Sequence, residues 1–151
     1  RNQKPLAVVM LDLDHFKQLN DQFGHQTGDK VIEMVAKHLL RQSRRTDILF
    51  RYGGEEFFIL MPEIDLKTAI LSAERLRMTV AAHPFKLSDG TVLSVSCSIG
   101  IAMYMPQQDD LDKLLLRADQ ALYQAKQSGK NAVRQAPVQT AISEVAELIK
   151  A

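Results

Sequence analysis

Cysteine is almost missing from this chain. One thiol, Cys97, stands among 151 residues, which excludes a disulfide framework and a cysteine-built zinc site and fits a reducing compartment. An excess of either charge is missing too. Nineteen Lys and Arg face eighteen Asp and Glu, a net charge of +1, so no global field draws the chain to nucleic acid or to an acidic membrane. Any nucleotide must be held by a local site. No apolar run approaches the ~20 residues that span a bilayer, and no signal peptide is visible, so direct membrane contact by this segment is not expected. Internal repeats and low-complexity tracts are absent as well. The first residue is Arg1 rather than Met, which reads as a piece of a longer protein. What is there, 46% hydrophobic and 25% charged residues, is the make-up of one globular domain, well short of the ~250 residues at which single cores stop growing.

The apolar run Leu6–Leu11 ends at Asp12 and predicts a strand buried on both faces. Asp14 stands where it would cap a short helix ending near Gly24. Asp29 stands where it would cap a longer one with the stripe Val31, Met34, Val35, His38 and Leu39. Ile48–Tyr52 and Phe57–Met61 read as strands joined at Gly53-Gly54, a pair able to take the positive φ angles of a tight turn. A helix over Leu66–Val80 is stopped by His83-Pro84, and Phe85–Leu87 reads as an edge strand turned at Asp89-Gly90. From Leu93 to Met103 apolar residues alternate with Ser94, Ser96 and Ser98, the pattern of a half-buried strand. Leu111–Ala125 marks the third long helix, ended by Ser128-Gly129, and Ala132-Val133 a short last strand. This order predicts an α+β fold, an antiparallel-rich sheet flanked by helices. Beyond Pro137 the stripe Ile142, Val145, Leu148 and Ile149 predicts a further helix, a tail or linker.

Two acidic segments carry the chemistry. Asp12 and Asp14, taken alone, read as a solvated strand end and a helix cap. They do not open a calcium loop, because Phe16, Lys17 and Leu19 stand where polar ligands belong. The turn Arg51-Tyr52-Gly53-Gly54-Glu55-Glu56-Phe57 is harder to read as decoration. Adjacent carboxylates repel, and a solvated hairpin would more cheaply mix signs. Glu55 beside Asp12 on a neighbouring strand would offer two hard oxygen ligands to Mg²⁺, which takes one or two carboxylates plus substrate phosphates. The residues alone leave both an ion site and a solvated turn open. His15, His25, His38 and His83 include no i, i+4 pair within one helix. His38 reads as a packed side chain and Cys97 as a small hydrophobe.

Gly53-Gly54-Glu55-Glu56-Phe57, preceded by Arg51-Tyr52, resembles the GGDEF signature of bacterial diguanylate cyclases in its GGEEF form. The stretch Asp12-Leu13-Asp14-His15-Phe16-Lys17-Gln18-Leu19-Asn20-Asp21 resembles the family's first motif, continued by Phe23-Gly24-His25 and Gly28-Asp29. Ser98-Ile99-Gly100-Ile101-Ala102 and Ala118 to Lys126 resemble later blocks, so the similarity runs from about Leu6 to Val133. It implies a GGDEF catalytic domain over 1–135, truncated at its N-terminal edge, and a helical tail or linker over 136–151. The implied fold is a central five-stranded sheet of the nucleotidyl-cyclase and polymerase-palm kind, with a ferredoxin-like core.

The implied activity is synthesis of cyclic di-GMP from two GTP, with two diphosphates released. Asp12, Glu55 and the Leu13 carbonyl would hold Mg²⁺, or Mn²⁺ in its place. Glu56 would assist a second ion or accept the hydroxyl proton. Asn20 and Asp29 would read guanine. Phe16, Lys17, Lys126 and Lys130 would hold the triphosphate, although the lysines taken alone are ordinary solvated charges, and Gly53 and Gly54 would bind substrate by letting it approach their backbone. The family often has Arg where Lys130 stands, and Lys keeps the charge without the bidentate fork. Arg44 and Asp47, with Arg75 from the next helix, resemble an inhibitory site for the product, since guanidinium groups stack on guanine and fork to its edge or to phosphate.

Each domain would then be half of an active site, so the resemblance implies a homodimer, a cytoplasmic location whether or not the parent is membrane-anchored, and weak activity in this segment. The competing reading is a catalytically silent domain that senses cyclic di-GMP or GTP. Such relatives usually lose the signature acids or glycines, and Asp12, Gly53, Gly54, Glu55 and Glu56 are all present. A dimerisation domain, argued only from the amphipathic tail, is the third reading.

Overall fold

A computed structural model of the chain describes residues 4–138. Strand β1 (Leu6–Leu13) is central in a five-stranded sheet of order β2-β3-β1-β6-β7, with β2 (Ile48–Arg51), β3 (Glu56–Pro62), β6 (Cys97–Met103) and β7 (Val133–Gln135). Neighbours are antiparallel except β6 and β7, which are parallel and joined through helix α4 (Leu111–Gln127). The other helices are α1 (Phe16–Phe23), α2 (His25–Gln42) and α3 (Leu66–Ala82), and a small hairpin pairs β4 (Phe85–Lys86) with β5 (Val92–Leu93). The α+β class and the five-stranded, antiparallel-rich sheet are those expected from the sequence.

The unbroken apolar run of β1 reflects two cores. Ala7, Val9, Leu11 and Leu13 join residues of α1, α2 and α3 in the larger one. Val8 and Met10 pack with Ala102, Leu114, Ala118, Ala121 and Leu122 in a smaller core under α4. A strand covered on both faces has no polar side to show. Helix starts follow side-chain caps at Asp65, which accepts from the Thr68 amide at 2.8 Å, and at Asp110, which accepts from the Lys113 amide at 2.8 Å.

Several local expectations differ from the structure. Neither Asp14 nor Asp29 caps a helix: α1 follows His15, and α2 begins at His25, after Gly24, so Asp29 lies exposed inside its second turn. The span Leu93–Met103 divides, with Leu93 in the hairpin and β6 starting at Cys97. Nor is β6 half-buried. Ser98, Gly100 and Ala102 are covered by α4, and their smallness lets the helix approach rather than marking a wet face. Gly53 and Gly54 do not adopt positive φ. The helix expected from Ile142 to Ile149 lies outside the described residues. Among the described residues no helix is long and apolar enough to cross a membrane.

Candidate active site

Antiparallel pairing draws the acidic segments together at the C-terminal end of β1. The register sets Asp12 opposite Glu56 on β3 and opposite Ser98 on β6. Directly paired residues share a face, and by the alternation of β1 this is the face that Val8 and Met10 turn to α4. The cross-strand partner of Asp12 is therefore Glu56 and not Glu55, because β3 enters the sheet at Glu56. Burial first, then the charge of Asp12 and a hydrogen bond with it, push the Glu56 carboxyl above its ordinary value; Asp119 and Glu55 add to the effect.

Glu55, one residue before Glu56, lines a groove of about 490 Å³ with Phe16, Lys17, Asn20, Asp29 and Gly54. The turn is held to β1 by the Leu13 amide, which donates to the Glu55 carbonyl at 3.2 Å. Arg51 locks it from the other side, donating to the carbonyls of Gly53 (3.2 Å) and Gly54 (2.9 Å). Neither backbone angle nor close packing within the domain demands a glycine at Gly54, and at Gly53 only the end of the Glu56 side chain would have to give. A Cβ on Gly53 would stand 3.0 Å from Glu56 Oε2, and one on Gly54 would point into open space beside the groove.

Asp14, expected from its position to cap a helix, is instead a buried acceptor. Asp14 is 3% exposed and accepts from Ser96 Oγ (2.7 Å), Ser98 Oγ (2.6 Å), Lys126 Nζ (2.8 Å) and the Asn131 amide (2.9 Å). Burial opposes its ionisation, but the hydrogen bonds from Lys126, Ser98 and Ser96 outweigh it and hold the carboxyl below its ordinary value. Lys126 also donates to Asp12 Oδ1 (2.9 Å) and the Leu13 carbonyl (3.3 Å). For this ammonium too burial is the largest influence, opposed and exceeded by Asp14 and Asp12, so it is held charged to higher pH than usual. Lys130 and Asn131 both adopt left-handed φ, 66° and 46°, in the loop after α4. The bonds of Asn131 to Asp14 and to Arg77 Nη1 (2.9 Å) fasten that unfavourable backbone.

Asn20 owes its position to a missing side chain. A Cβ on Gly28 would fall 1.8 Å from Asn20 Oδ1 and 3.1 Å from the Phe16 ring, so glycine there leaves the room that the Asn20 carboxamide occupies. Asn20 Oδ1 is buried with no hydrogen-bond partner among the described residues, which leaves an acceptor to be satisfied. Arg44 and Asp47 lie apart from this region and close on each other. Asp47 accepts from the Arg44 amide (2.8 Å) and Nε (3.0 Å), while Arg44 Nη2 reaches the Pro62 carbonyl (2.6 Å). Arg75 on α3 donates to the Gln42 carbonyl (3.3 Å), at the end of α2 that leads to Arg44.

The other chemically suggestive residues are structural. Cys97 is buried, which together with Asp14 nearby pushes its thiol up to about 12. His38 packs against His83 (4.9 Å between ring centroids) and Phe85. Among the described residues no three His, Cys, Asp or Glu side chains gather as a metal cage. Yet Asp12 Oδ1 and the Leu13 carbonyl oxygen already share one cation, the Lys126 ammonium. These are the hard oxygen donors that suit Mg²⁺, which leaves its remaining positions to water and phosphate.

Sequence reasoning missed Asp14, Ser96, Asn131 and Arg51 as parts of the site. Their partners lie up to 117 residues away, and only the period-two serines hinted at a polar seam.

The family model described as "Diguanylate cyclase, GGDEF domain" matches residues 1–132. The response regulator PleD of Caulobacter vibrioides is 44% identical over 130 residues, covering 85% of this chain and 29% of that protein. The diguanylate cyclase DgcP of Pseudomonas aeruginosa is 42% identical over 131 residues, 87% of this chain and 19% of that one. The chain thus spans under a third of these relatives. Among solved structures, the GGDEF domain of DgcB from Caulobacter crescentus in complex with c-di-GMP superposes with a TM-score of 0.83 at 35% identity, over 87% of this chain and 78% of that one. The active GGEEF domain of a diguanylate cyclase from Vibrio cholerae gives 0.81 at 33%, over 90% and 85%.

Proposed function

The chain belongs to the diguanylate cyclase GGDEF-domain family, and on that premise we propose that it condenses two GTP into cyclic di-GMP. Each 3′-hydroxyl oxygen attacks the α-phosphorus of the other nucleotide; two P–O bonds form, two diphosphates leave and two protons are released. The observation that carries this reading is the groove of about 490 Å³ that joins Asn20 and Asp29 to Lys17, Gly54 and Glu55. One wall offers a carboxylate and an amide, the other an acidic turn with open space above a glycine.

In this reading Asp29 accepts from the N1 and N2 protons of guanine, with the Asn20 carboxamide beside it, and adenine would leave these groups unpaired. Phe16, Lys17, Gly53, Gly54, Lys126 and Lys130 surround the triphosphate. Asp12, the Leu13 carbonyl and Glu55 are the groups that would hold Mg²⁺ or Mn²⁺; when bound, the ion neutralises the phosphates and favours in-line attack. Glu56 assists a second ion or takes the hydroxyl proton, a task that its raised affinity for protons suits. Because one domain holds one GTP, two copies must face each other. Arg44, Asp47 and Arg75 form the product-inhibition site, with Asp47 fixing the Arg44 guanidinium. The domain works in the cytoplasm, where GTP is available.

Incubation with GTP and Mg²⁺, followed by chromatographic separation of nucleotides, tests the reaction. Glu55→Ala is expected to abolish turnover while leaving the melting temperature and cyclic di-GMP binding unchanged. Turnover that survives in Glu55→Ala overturns the metal assignment. A wild-type domain that binds cyclic di-GMP but makes none, even when fused to a dimeriser, is a sensor and not a cyclase.

A further inference from the structure

Lys126, assigned above to the triphosphate, is already fully engaged by acceptors of its own domain. Its ammonium has three donor directions, and Asp12 Oδ1, the Leu13 carbonyl and Asp14 Oδ1 take all three, at 2.9, 3.3 and 2.8 Å. Two of those acceptors are the oxygens assigned above to the metal. A divalent ion of the Mg²⁺ class bonds to such oxygens at about 2.0–2.1 Å, which would set it beside an ammonium already within 2.9 and 3.3 Å of the same atoms, and two cations so close repel. The third acceptor differs in kind. Asp14 is buried and fixed by Ser96, Ser98 and the Asn131 amide, so it stays put when the other two are claimed.

We propose that Lys126 is a stand-in cation: its ammonium occupies the metal's oxygens in the unloaded domain, and loading with metal and nucleotide displaces it from Asp12 and Leu13 onto the triphosphate while Asp14 keeps hold of it. This inference rests on the metal assignment made under the proposed function. The stand-in keeps Asp12 and Glu56, opposite each other across the β1–β3 pair, from repelling without a counter-ion. It also makes the domain refuse metal alone. A bare ion adds positive charge beside an ammonium that Asp14 keeps nearby, whereas an ion arriving with a triphosphate brings the anion that receives the ammonium. Metal and nucleotide binding are coupled through one side chain, and such coupling is reciprocal.

Binding of Mn²⁺ to the full chain without nucleotide, read as loss of the free Mn²⁺ electron paramagnetic resonance signal, tests the idea. Lys126→Met is expected to bind bare Mn²⁺ at least tenfold more tightly than the wild type. Unchanged or weaker binding by a folded Lys126→Met overturns the stand-in role. Lys126→Gln keeps one donor for Asp14 and serves where the Met variant does not fold; the same tightening is expected of it, and its absence counts equally against the proposal. In the wild type, the Lys126 ammonium resonance in ¹⁵N-lysine NMR should shift when Mg²⁺ and 3′-deoxy-GTP, which lacks the attacking hydroxyl, are added together, and hardly at all with Mg²⁺ alone. A resonance that stays fixed with both present overturns it. Failure of the underlying metal reading looks different: Mn²⁺ would then improve 3′-deoxy-GTP binding as much in Asp12→Asn as in the wild type, which removes both proposals. If Asp12→Asn loses that improvement and the Lys126 variants gain no bare-metal affinity, only the stand-in fails.

Discussion

Asp12, Asp14, Glu55 and Glu56 carry the same functional group and are given four environments. Asp14 is saturated with donors, Asp12 shares an ammonium, Glu56 is crowded by acids, and Glu55 faces an open groove. Local packing separates roles that composition cannot, and the same holds for neutral residues. Gly28 does nothing chemical, yet a methyl group there would meet Asn20 Oδ1 at 1.8 Å. Gly28→Ala is expected to turn the carboxamide out of place and weaken GTP binding about tenfold, the worth of one good hydrogen bond. Calorimetry with 3′-deoxy-GTP would measure it, and affinity equal to wild type would remove Gly28 from the account. The sequence showed Gly28-Asp29 only as part of a family motif, since nothing local says that α1 passes there.

At the scale of elements, β6 and α4 form the hinge between stability and site. Gly100 faces α4 so closely that an added Cβ would stand 2.2 Å from the Leu122 amide nitrogen and 2.3 Å from the Ala118 carbonyl. Those are backbone atoms, which cannot swing aside. Gly100→Ala should therefore push α4 off the sheet and cost about 3 kcal/mol in urea unfolding, at the upper end of overpacking penalties. Since α4 carries Lys126 and leads to Lys130, the same variant should lose GTP affinity in a folded preparation. A change within 0.5 kcal/mol would mean that the helix is free to shift. The seam itself was half legible: alternation in Ser-Cys-Ser-Ile-Gly-Ile-Ala marked a strand with one polar or small face. Whether that face meets water or a helix depends on α4, which starts eight residues after β6 ends.

For the whole molecule, the decisive property of the proposed reaction is that one groove holds one GTP while the product contains two. Encounter of two domains then limits turnover, and longer chains can lower its entropy by tethering; both relatives named above extend far beyond the matched region. In dilute solution the rate of cyclic di-GMP formation should rise with about the square of protein concentration, measured as initial rates over a tenfold dilution series. A strictly linear dependence would contradict a site shared between freely associating copies.

The sequence by itself determined the covalent and periodic facts: a two-faced apolar strand ending in acids, helices with one apolar stripe, a glycine pair before two carboxylates, and a charge balance that forces any ligand into a local site. These follow from side-chain chemistry at fixed spacing, which survives without knowledge of neighbours. It could not determine that Asp12 pairs with Glu56 and not Glu55, because a one-residue change of register moves a side chain to the other face of a sheet. Nor could it reveal that Asp14 is a buried anchor rather than a cap, since the four groups that stabilise it come from β6, the stretch before it, α4 and the loop beyond. Burial and register are decided by which segments meet, and that only the tertiary structure fixes.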